Sequence, residues 1–388
     1  MFGFCPVNIP IWDDLEPQPG PRLEGTQRAD VCVVGLGGSG LTVLEELAGR
    51  GLAVAGIDAA SIGGGAAGRN GGFLLAGLGK FYHRTVVRYG REIAAALYRE
   101  TLEEITRQEA GLPGVVRRTG AVRIAADEAE FADCQAQATA LRADGFAVED
   151  YRGPEGEGIL LPDDGVMQPL RRVRAMAARL QDQGVRLYQD SPVWKVDVGE
   201  VATEHGTILC DTVIVAVDGK LEQMFPELGR RLRTGRLQML ATAPAPEVAF
   251  TRPVYRRFGQ EYWQQRPDGS IVLGGLRDDV QALEWTSASD PTRELQELLD
   301  RYLREHLKVT APVTHRWAAS VAYTPDALPV IERIRNKTWV VGAYSGSGNI
   351  VGALSARAVA QMVLGEPSRW AGLVGRARFA PGSSTAWL

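Results

Sequence analysis

Three spaced glycines and a downstream acid form the clearest chemical pattern in this 388-residue chain. Gly35, Gly37 and Gly40 follow an apolar run, and Asp58 comes eighteen residues after the last glycine. In a βαβ unit such glycines give a tight turn, admit a pyrophosphate to the backbone and let a helix pack on a strand, while the acid binds a ribose diol. The pattern predicts dinucleotide binding, with a tight loop that holds no ligand as the alternative. The residues predicted to contact the dinucleotide are Gly35, Gly37, Gly38, Ser39, Gly40, Asp58 and Ala59.

A second glycine-rich stretch follows directly, over residues 63–72. Arg69 and Asn70 stand inside its run of glycines and alanines. Such a loop brings backbone N–H groups close to a phosphate or a planar ring, and Arg69 adds a charged partner. A flexible linker is the alternative. The residues predicted to bind cofactor here are Gly65, Ala66, Ala67, Gly68, Arg69, Asn70, Gly71 and Gly72.

A third pattern lies near the end of the chain. A strand-like run from Trp339 turns through Gly346 and Gly348 and opens a helical segment that runs to about Leu364. The N-terminus of a helix presents free N–H groups and a positive dipole end, which stabilise an anion. A strand, turn and helix without ligand is the alternative. The predicted cofactor residues in this turn are Gly346, Ser347, Gly348, Asn349 and Ile350.

Composition limits the class of protein. The chain has 45% apolar and 23% charged residues with a formal net charge of −4, which is typical of a globular protein and offers no basic block for nucleic acid. Cys5, Cys32, Cys134 and Cys210 form no CxxC pair, which predicts neither a zinc site nor a disulfide framework. We expect no nucleic-acid partner, no metal, no membrane span and no signal peptide, and therefore a cytoplasmic location. The oligomeric state stays open.

Together the three motifs resemble the FAD-binding half of the D-amino-acid oxidase-like flavoprotein superfamily. Residues 69–72 and the leader over 12–30 look most similar to its γ-glutamylputrescine oxidase branch. The resemblance implies FAD rather than NAD, a backbone contact to adenine near Val193, and a helix start at the pyrimidine side of the flavin ring. Some members attach FAD through a cysteine in the C-terminal region, but this chain has no cysteine after Cys210. FAD is therefore expected to bind without a covalent bond.

The resemblance also implies the elements that position these motifs. The expected fold is α/β (α+β overall), with a Rossmann-like FAD-binding domain and a second, antiparallel-sheet substrate domain. Length alone favours two lobes, because one hydrophobic core seldom serves so long a chain. Prolines and an acidic pair in the leader predict an extended segment on the surface. The expected segments are a leader over 1–28, a discontinuous FAD-binding domain over 29–79, 165–220 and 338–370, a substrate or cap domain over 80–164 and 221–337, and a C-terminal tail over 371–388.

No residue can be assigned a catalytic role from the sequence. The strand-like run 261–265 contains Tyr262 and Trp263, which with Tyr255 are candidates for an aromatic wall, although alternation cannot tell a pocket face from a solvent face. Arg277 follows a strand end from which the family aims a basic group at the flavin; a solvated turn is the alternative. The candidates for a catalytic role are Arg277, Tyr262, Tyr255 and Tyr344.

One departure from the family bears on the substrate. Within residues 316–326, Val321 occupies the place where glycine oxidase-like members carry the arginine that pairs with the substrate carboxylate. Loss of that bidentate clamp disfavours an α-amino acid held in this manner. Asp218 and Asn349 also replace the residues usual in the family.

The resemblance implies an FAD-dependent oxidoreductase that oxidises a C–N bond of an amine or substituted amino acid to an imine by hydride transfer to flavin N5. The protein need only orient the substrate and tune the flavin, so no side-chain acid or base is required. The oxidant is O2 or another electron acceptor. One alternative is an amino-acid oxidase or dehydrogenase that holds the carboxylate through Arg277 or Arg256. Another is a flavoprotein without turnover that acts in assembly or binding.

Overall fold

The computed structural model describes residues 8–14 and 20–378, which form two large sheets with helices on their outer faces. The strands are β1 Gly25–Val34, β2 Val54–Ile57, β3 Phe73–Leu74, β4 Val116–Arg117, β5 Ala121–Ile124, β6 Glu149–Gly153, β7 Gly156–Leu161, β8 Gly165–Met167, β9 Arg186–Tyr188, β10 Val193–Asp197, β11 Glu200–Thr203, β12 Gly206–Val215, β13 Arg233–Pro244, β14 Val254–Arg256, β15 Glu261–Gln265, β16 Ser270–Gly275, β17 Val313–Tyr323, β18 Val330–Arg335 and β19 Thr338–Gly342. The α-helices are α1 Gly38–Ala48, α2 Tyr82–Tyr89, α3 Arg91–Gly111, α4 Glu128–Ala143, α5 Pro169–Asp182, α6 Leu221–Met224, α7 Gln281–Glu284, α8 Arg293–Arg301, α9 Val351–Val363 and α10 Arg369–Arg378.

The first sheet is Rossmann-like, as predicted. Its core strands are parallel in the order β9-β2-β1-β12-β19, with antiparallel strands at the edges. The second part of β1, residues 31–34, is buried on both faces, because Val31 and Val33 pack under the helices α1, α5 and α9 while Cys32 and Val34 pack in a second cluster on the opposite face. A strand buried on both faces reads as a continuous apolar run, which is why this unit was visible in the sequence.

The second sheet is almost wholly antiparallel, in the order β17-β13-β16-β15-β14-β5-β7-β6. One face packs on α8 through Leu295 and Leu299, which join Val122, Trp263 and Leu273 in one apolar cluster. The opposite face is therefore free to line a cavity between this sheet and the loops that contain the second and third motifs. A small sheet in the order β3-β8-β4 lies beside the second glycine-rich stretch, since the Met167 N–H donates to the Gly72 carbonyl at 2.8 Å.

The leader differs from the expectation of a surface segment. Trp12 is only 2% exposed, and its indole Nε1 donates to the Asn70 carbonyl at 2.8 Å. The leader therefore packs against the second glycine-rich stretch, and the first strand begins at Gly25, inside the range expected for it. The prolines of the leader predicted an extended chain, but they carry no information about what Trp12 contacts. Residues 1–7 and 15–19, including Cys5, lie outside the described residues.

Two C-terminal boundaries also differ from the expectation. Strand β18 was expected in the second domain, but it forms an antiparallel hairpin with β19 in the first sheet. The reversal occurs at Lys337, whose φ of 59° is the left-handed conformation of a tight turn. The expected tail begins inside α10, where Trp370 is 3% exposed and donates to the Ser355 hydroxyl at 3.1 Å; residues 379–388 lie outside the described residues. None of the described helices is both long and apolar enough to span a membrane.

Candidate functional site

The first glycine motif has the backbone geometry that its spacing predicts. Gly35 has a φ of +104°, and a Cβ there would lie 2.8 Å from the Ala216 carbonyl oxygen. A Cβ on Gly40 would lie 1.8 Å from the Gly35 carbonyl oxygen, so only glycine lets α1 approach β1 this closely. At Gly37 a Cβ would meet only the Ala67 methyl, at 3.2 Å. Helix α1 has no side-chain cap, so its first N–H groups stay available beside an open backbone.

Asp58 follows β2 beside this turn. Its carboxylate accepts N–H groups from Leu36 at 2.7 Å and Ala60 at 2.9 Å. Burial raises the pKa of Asp58, and these N–H groups oppose the rise. The Ser191 N–H donates to the Asp58 carbonyl at 2.9 Å, which places the segment leading to Val193 next to the acid. Val193 itself is half-buried at the start of β10.

Arg69 braces the second glycine-rich stretch. Its Nε donates to the Gly64 carbonyl at 2.7 Å, and its NH1 donates to the carbonyl and side-chain oxygens of Asn8 at 2.9 and 2.8 Å. Burial lowers the pKa of Arg69. The guanidinium therefore ties the loop to the leader, whereas the sequence suggested a phosphate partner.

Asn349 joins the third motif to the second. Its side-chain amide donates to the Asn70 side-chain oxygen at 3.0 Å and to the Phe73 carbonyl at 2.9 Å. The Gln108 amide donates to the Asn349 carbonyl at 2.9 Å and holds the turn from its other side. Helix α9 then begins without a side-chain cap, and Gly346 (φ +88°) has open space where a Cβ would be. The three predicted cofactor motifs thus meet in one region.

Arg172 was missed by the sequence reasoning. It is 3% exposed, its Nε has no hydrogen-bond partner, and it forms no ion pair within residues 8–14 and 20–378. Burial lowers its pKa to about 10. One guanidinium nitrogen lies 2.8 Å from the position of a Cβ on Gly38, at the start of α1. A buried guanidinium without an anion is costly, so this place fits a bound pyrophosphate. Nothing in the helical pattern of α5 distinguishes Arg172 from its exposed neighbours.

A cavity of about 420 Å³ opens between these loops and the second sheet. Parts of its wall come from residues 66–71, 75–80 and 345–350, and further parts come from β3, β5, β13, β14, β15, β17 and the turn after β16. Its volume is in the range of small-molecule sites. The cavity therefore brings half of the predicted residues of the second motif and most of those of the third together with the candidate substrate residues.

The predicted aromatic wall is partly present. Tyr255 and Tyr262 line the cavity and stack with ring centroids 5.7 Å apart, while Phe73 meets Tyr255 edge-on at 5.1 Å. Trp263 points to the opposite face of β15, where it is 1% exposed against α8. Tyr344 lies outside the cavity lining and is 4% exposed, with its ring 3.2 Å from the place of a Cβ on Gly352.

Arg277 lies in the cavity wall and not in a solvated turn, which was the other alternative for it. The chain turns sharply after β16, with φ of +112° at Gly275 and +57° at Leu276, and this turn brings Arg277 inward to 7% exposure. Its guanidinium carbon lies 4.0 Å from the Trp285 ring centroid and 4.8 Å from that of Tyr323. Nε and NH2 of Arg277 have no hydrogen-bond partner. Trp285 and Tyr323 were not predicted as site residues, because nothing in the sequence around them distinguishes them.

Arg256, the other proposed carboxylate partner, is engaged elsewhere. It forms an ion pair with Glu261, whose carboxylate also accepts the Tyr302 hydroxyl at 2.7 Å, and it does not line the cavity. This pair raises the pKa of Arg256 against the lowering effect of burial.

Asp218, which the resemblance suggested as a departure, joins three segments of the chain. Its carboxylate accepts N–H groups from Tyr344 at 3.0 Å and Ala322 at 3.3 Å, so it joins the end of β12 to β17 and to the segment after β19. Burial raises its pKa to about 6, and the N–H groups oppose the rise.

The sequence is similar to a family model and to several known proteins. A family model described as DAO, FAD dependent oxidoreductase, matches residues 30–362. Probable oxidoreductase OrdL from Rhizobium meliloti (strain 1021) is 25% identical over 385 residues, covering 89% of this chain and 85% of that protein. Gamma-glutamylputrescine oxidoreductase from Escherichia coli (strain K12) is 24% identical over 384 residues, covering 91% of this chain and 87% of that protein.

Solved structures show the same fold. Glycine oxidase from Geobacillus kaustophilus superposes with a TM-score of 0.71 at 20% identity, covering 88% of this chain and 96% of that one. L-Proline dehydrogenase from P. horikoshii also superposes with a TM-score of 0.71 at 20% identity, covering 92% of this chain and 98% of that one.

Proposed function

The chain belongs to the DAO family of FAD-dependent oxidoreductases, and from this membership we propose that it oxidises the C–N bond of a carboxylate-bearing amine to an imine. FAD is its cofactor, as the three motifs predicted. When bound, FAD supplies the hydride acceptor at N5 for the carbon next to the substrate nitrogen. Two similar proteins bear names that denote action on an amine or an amino acid, gamma-glutamylputrescine oxidoreductase and glycine oxidase, which supports this class of substrate.

Several of the chain's own groups would hold FAD. The start of α1 and Arg172 would hold the pyrophosphate, since both offer unpaired positive charge or N–H groups at Gly37 and Gly38. Asp58 would accept the ribose hydroxyls, and the start of α9 would face the flavin ring. The three described cysteines are buried and none lines the cavity, which supports non-covalent binding.

The observation that carries the proposal is the position of Arg277. A Cβ on Gly235 would lie 3.4 Å from the Arg277 guanidinium, and Gly235 is the register partner of Val321 across β13 and β17. Arg277 thus brings a guanidinium next to the place from which the family's arginine is missing. Its two unpaired donor atoms suit a carboxylate, which accepts paired N–H groups.

The tyrosines of the wall would orient the amine without titrating. Burial raises the pKa of Tyr255 to about 12 and raises that of Tyr262 further, so both phenols stay protonated and donate hydrogen bonds. Tyr255, Tyr262 and Phe73 also exclude water from the wall they share. The substrate amine would enter unprotonated, and water would hydrolyse the imine after it forms.

Anaerobic reduction of the flavin by a panel of amines tests the proposal. Amino acids and N-substituted amino acids should bleach the flavin band faster than amines of the same length without a carboxylate. Faster bleaching by the plain amines would instead favour an amine oxidase, and a yellow protein that no member of the panel bleaches would favour a flavoprotein without turnover. Readmission of air with detection of peroxide then separates O2 from another electron acceptor.

A further inference from the structure

The cavity carries more positive charge than one carboxylate needs. Besides Arg277, its wall contains Lys80, Arg123 and Arg69, the last of which is bonded to carbonyl and amide oxygens, while Asp278 is the acid in the same lining. Within residues 8–14 and 20–378, no ion pair involves any of these five side chains. Charged groups near one another in a folded protein are usually paired, so an unpaired excess of cations in a cavity points to an anionic ligand.

Arg123 lies at the opposite side of the aromatic wall from Arg277. Arg123 of β5 is the register partner of Tyr255, Tyr255 is the partner of Tyr262, and Tyr262 is the partner of Gly274 on β16. These residues form one row on the cavity face of the sheet. Three strand spacings separate Arg123 from β16, a distance of roughly 14 Å. The chain that carries Arg277 leaves β16 just beyond Gly274, so the tyrosines lie between the two guanidinium groups.

The surroundings of Arg123 leave its charge available. The guanidinium carbon lies 4.5 Å from the Phe81 ring centroid, and NH1 makes a long contact of 3.4 Å with the Gln137 side-chain oxygen. Asp164 lies behind it, fully buried, but is not within ion-pair distance. Burial raises the pKa of Asp164 to about 7, so this acid neutralises Arg123 only in part.

Lys80 extends the same positive region to the rim. It is exposed at the end of the 75–80 loop and lines the cavity. Burial of its amine, followed by the charges of Arg84 and Arg88, lowers its pKa, and Asp278 opposes the change. A second carboxylate placed between Lys80 and Arg123 would relieve this repulsion.

Resting on the proposed function, we propose that the substrate is a dianionic amine whose second acidic group binds Arg123 and Lys80, across the tyrosine wall from Arg277. A dicarboxylic or N-carboxyalkyl amino acid has this chemistry. The first carboxylate is held at Arg277, the C–N bond lies beside Tyr255 and Tyr262, and the second acid reaches the far cations. A carboxylate-bearing amine with an apolar tail would leave both far cations unpaired.

Binding of inert carboxylates to the FAD-loaded enzyme tests the proposal without turnover. Monocarboxylates and dicarboxylates of equal carbon number, such as valerate and glutarate or hexanoate and adipate, are titrated while the flavin absorption band is followed. At least one dicarboxylate should bind about tenfold tighter than its matched monocarboxylate, and added KCl should reduce the difference. Arg123→Met should bring the matched pair to within about twofold, and Arg123→Lys should retain part of the preference.

Arg152→Met is the matched control, because Arg152 lies on the same sheet but is exposed and paired with Glu157. This variant should keep the full preference for the dicarboxylate. Equal affinity of the matched acids in the wild type, or a preference that survives Arg123→Met, would overturn the dianionic substrate. Dicarboxylate preference with no bleaching by any carboxylated amine would count against the proposed oxidation alone. Bleaching by monoanionic amines without a preference would count against the second acidic group alone.

Discussion

At the cavity wall, two aromatic rings offset part of the cost of burying Arg277. Trp285 and Tyr323 lie within cation–π distance of its guanidinium, and such contacts are worth roughly 0.5–2 kcal/mol each. Nε and NH2 of Arg277 have no hydrogen-bond partner, so the directional hydrogen bonds of these two atoms stay free for a ligand. Stacking therefore holds the charge in place while leaving it able to bind.

Replacement of Arg277 by Met should lower kcat/KM for carboxylated amines by roughly tenfold to a hundredfold, because a hydrogen bond to a charged group contributes about 1.5–3 kcal/mol. Arg277→Lys should have a kcat/KM between those of the wild type and Arg277→Met, because lysine keeps the charge but lacks the paired N–H donors of the guanidinium. Stopped-flow reduction of the flavin measures the effect, with the FAD content of each variant as the control. An equal loss with an amine that has no carboxylate would contradict the assignment.

Asp164 predicts a measurable pH dependence of stability. Its pKa is raised to about 7 in the fold, above the ordinary value of 3.8, so the folded protein holds a proton that the unfolded chain has lost. Stability from this group is therefore fully present below about pH 4 and falls as the pH rises from there to about 7.

The variant Asp164→Asn should remove that loss, because its side-chain oxygen can still accept the Ala76 N–H, at 2.7 Å in the wild type. Relative to wild type, it should gain on the order of 3 kcal/mol between pH 5 and pH 8, at about 1.4 kcal/mol per unit over roughly two units. Urea unfolding at the two pH values measures this difference. Parallel pH profiles for the two proteins would contradict the role of Asp164.

Single residues were predictable where their surroundings are local in sequence. Tyr262 was a candidate because it stands in a short strand-like run, and both it and Tyr255 line the cavity. Arg277 was a candidate because it follows the end of a strand, and it also lines the cavity. Arg123 was missed, because its position depends on strand register between segments far apart in the chain, which periodicity does not encode. Val321 was noted as a departure from the family pattern, and the guanidinium near it comes from a turn 44 residues earlier in the sequence, which that departure does not indicate.

Helices α1 and α5 together form the proposed phosphate site. The uncapped start of α1 offers N–H groups, and α5 brings Arg172 to within 2.8 Å of the Cβ position on Gly38. Burial lowers the pKa of Arg172 despite the charges of Glu104 and Glu45, and Arg172 forms no ion pair within residues 8–14 and 20–378. A bound phosphate would therefore stabilise this pair of helices.

Arg172→Met should raise the dissociation constant for FAD by roughly tenfold to a hundredfold, because the lost charge-assisted bonds are worth about 1.5–3 kcal/mol. Fluorescence quenching on addition of FAD to the apoprotein measures it. Arg171→Met, an exposed neighbour on α5 that pairs with Asp14, should leave the dissociation constant unchanged. If riboflavin, which has no phosphate, loses as much affinity as FAD, the pyrophosphate assignment is wrong.

Elements were predictable in proportion to how much of their pattern is local. The βαβ unit containing Gly35 and Asp58 was visible because strand, turn, helix and acid fall within one short stretch. Strand β18 was expected with the second domain, whereas it pairs with β19 of the first sheet. Apolar and polar residues alternate along it, and that pattern is compatible with either sheet. The burial of Trp12 depends on a carbonyl at Asn70, which no property of the leader itself indicates.

Across the whole molecule, the cofactor region is assembled from three segments, of which the first two are neighbours in sequence and the third lies far from both. Asn349 bonds to Asn70 over 279 positions, and Trp317 donates to the Arg69 carbonyl at 2.7 Å over 248 positions. A ligand that contacts all three segments stabilises the folded state by mass action.

Removal of FAD should therefore lower the unfolding temperature, and added FAD should raise it with concentration. At an FAD concentration a hundred times the dissociation constant, the free energy of unfolding should be about 2.7 kcal/mol higher than without FAD. Asn349→Ala should shrink this shift, because it removes two hydrogen bonds that join the third motif to the second. Thermal unfolding of apoprotein and FAD-loaded protein measures both effects. The same FAD-dependent shift in the variant as in the wild type would contradict the bracing role of Asn349.

The contacts of Asn8 also set an order of events during synthesis. Its backbone N–H donates to the Arg316 carbonyl at 3.0 Å, and its side-chain oxygen accepts the Ala318 N–H at 3.1 Å and a guanidinium N–H of Arg69 at 2.8 Å. Asn8 thus waits for about three hundred further residues to be synthesised before it can dock. Nascent chains halted before residue 316 would carry the first two glycine-rich motifs complete, but Asn8 would lack its partners at Arg316 and Ala318.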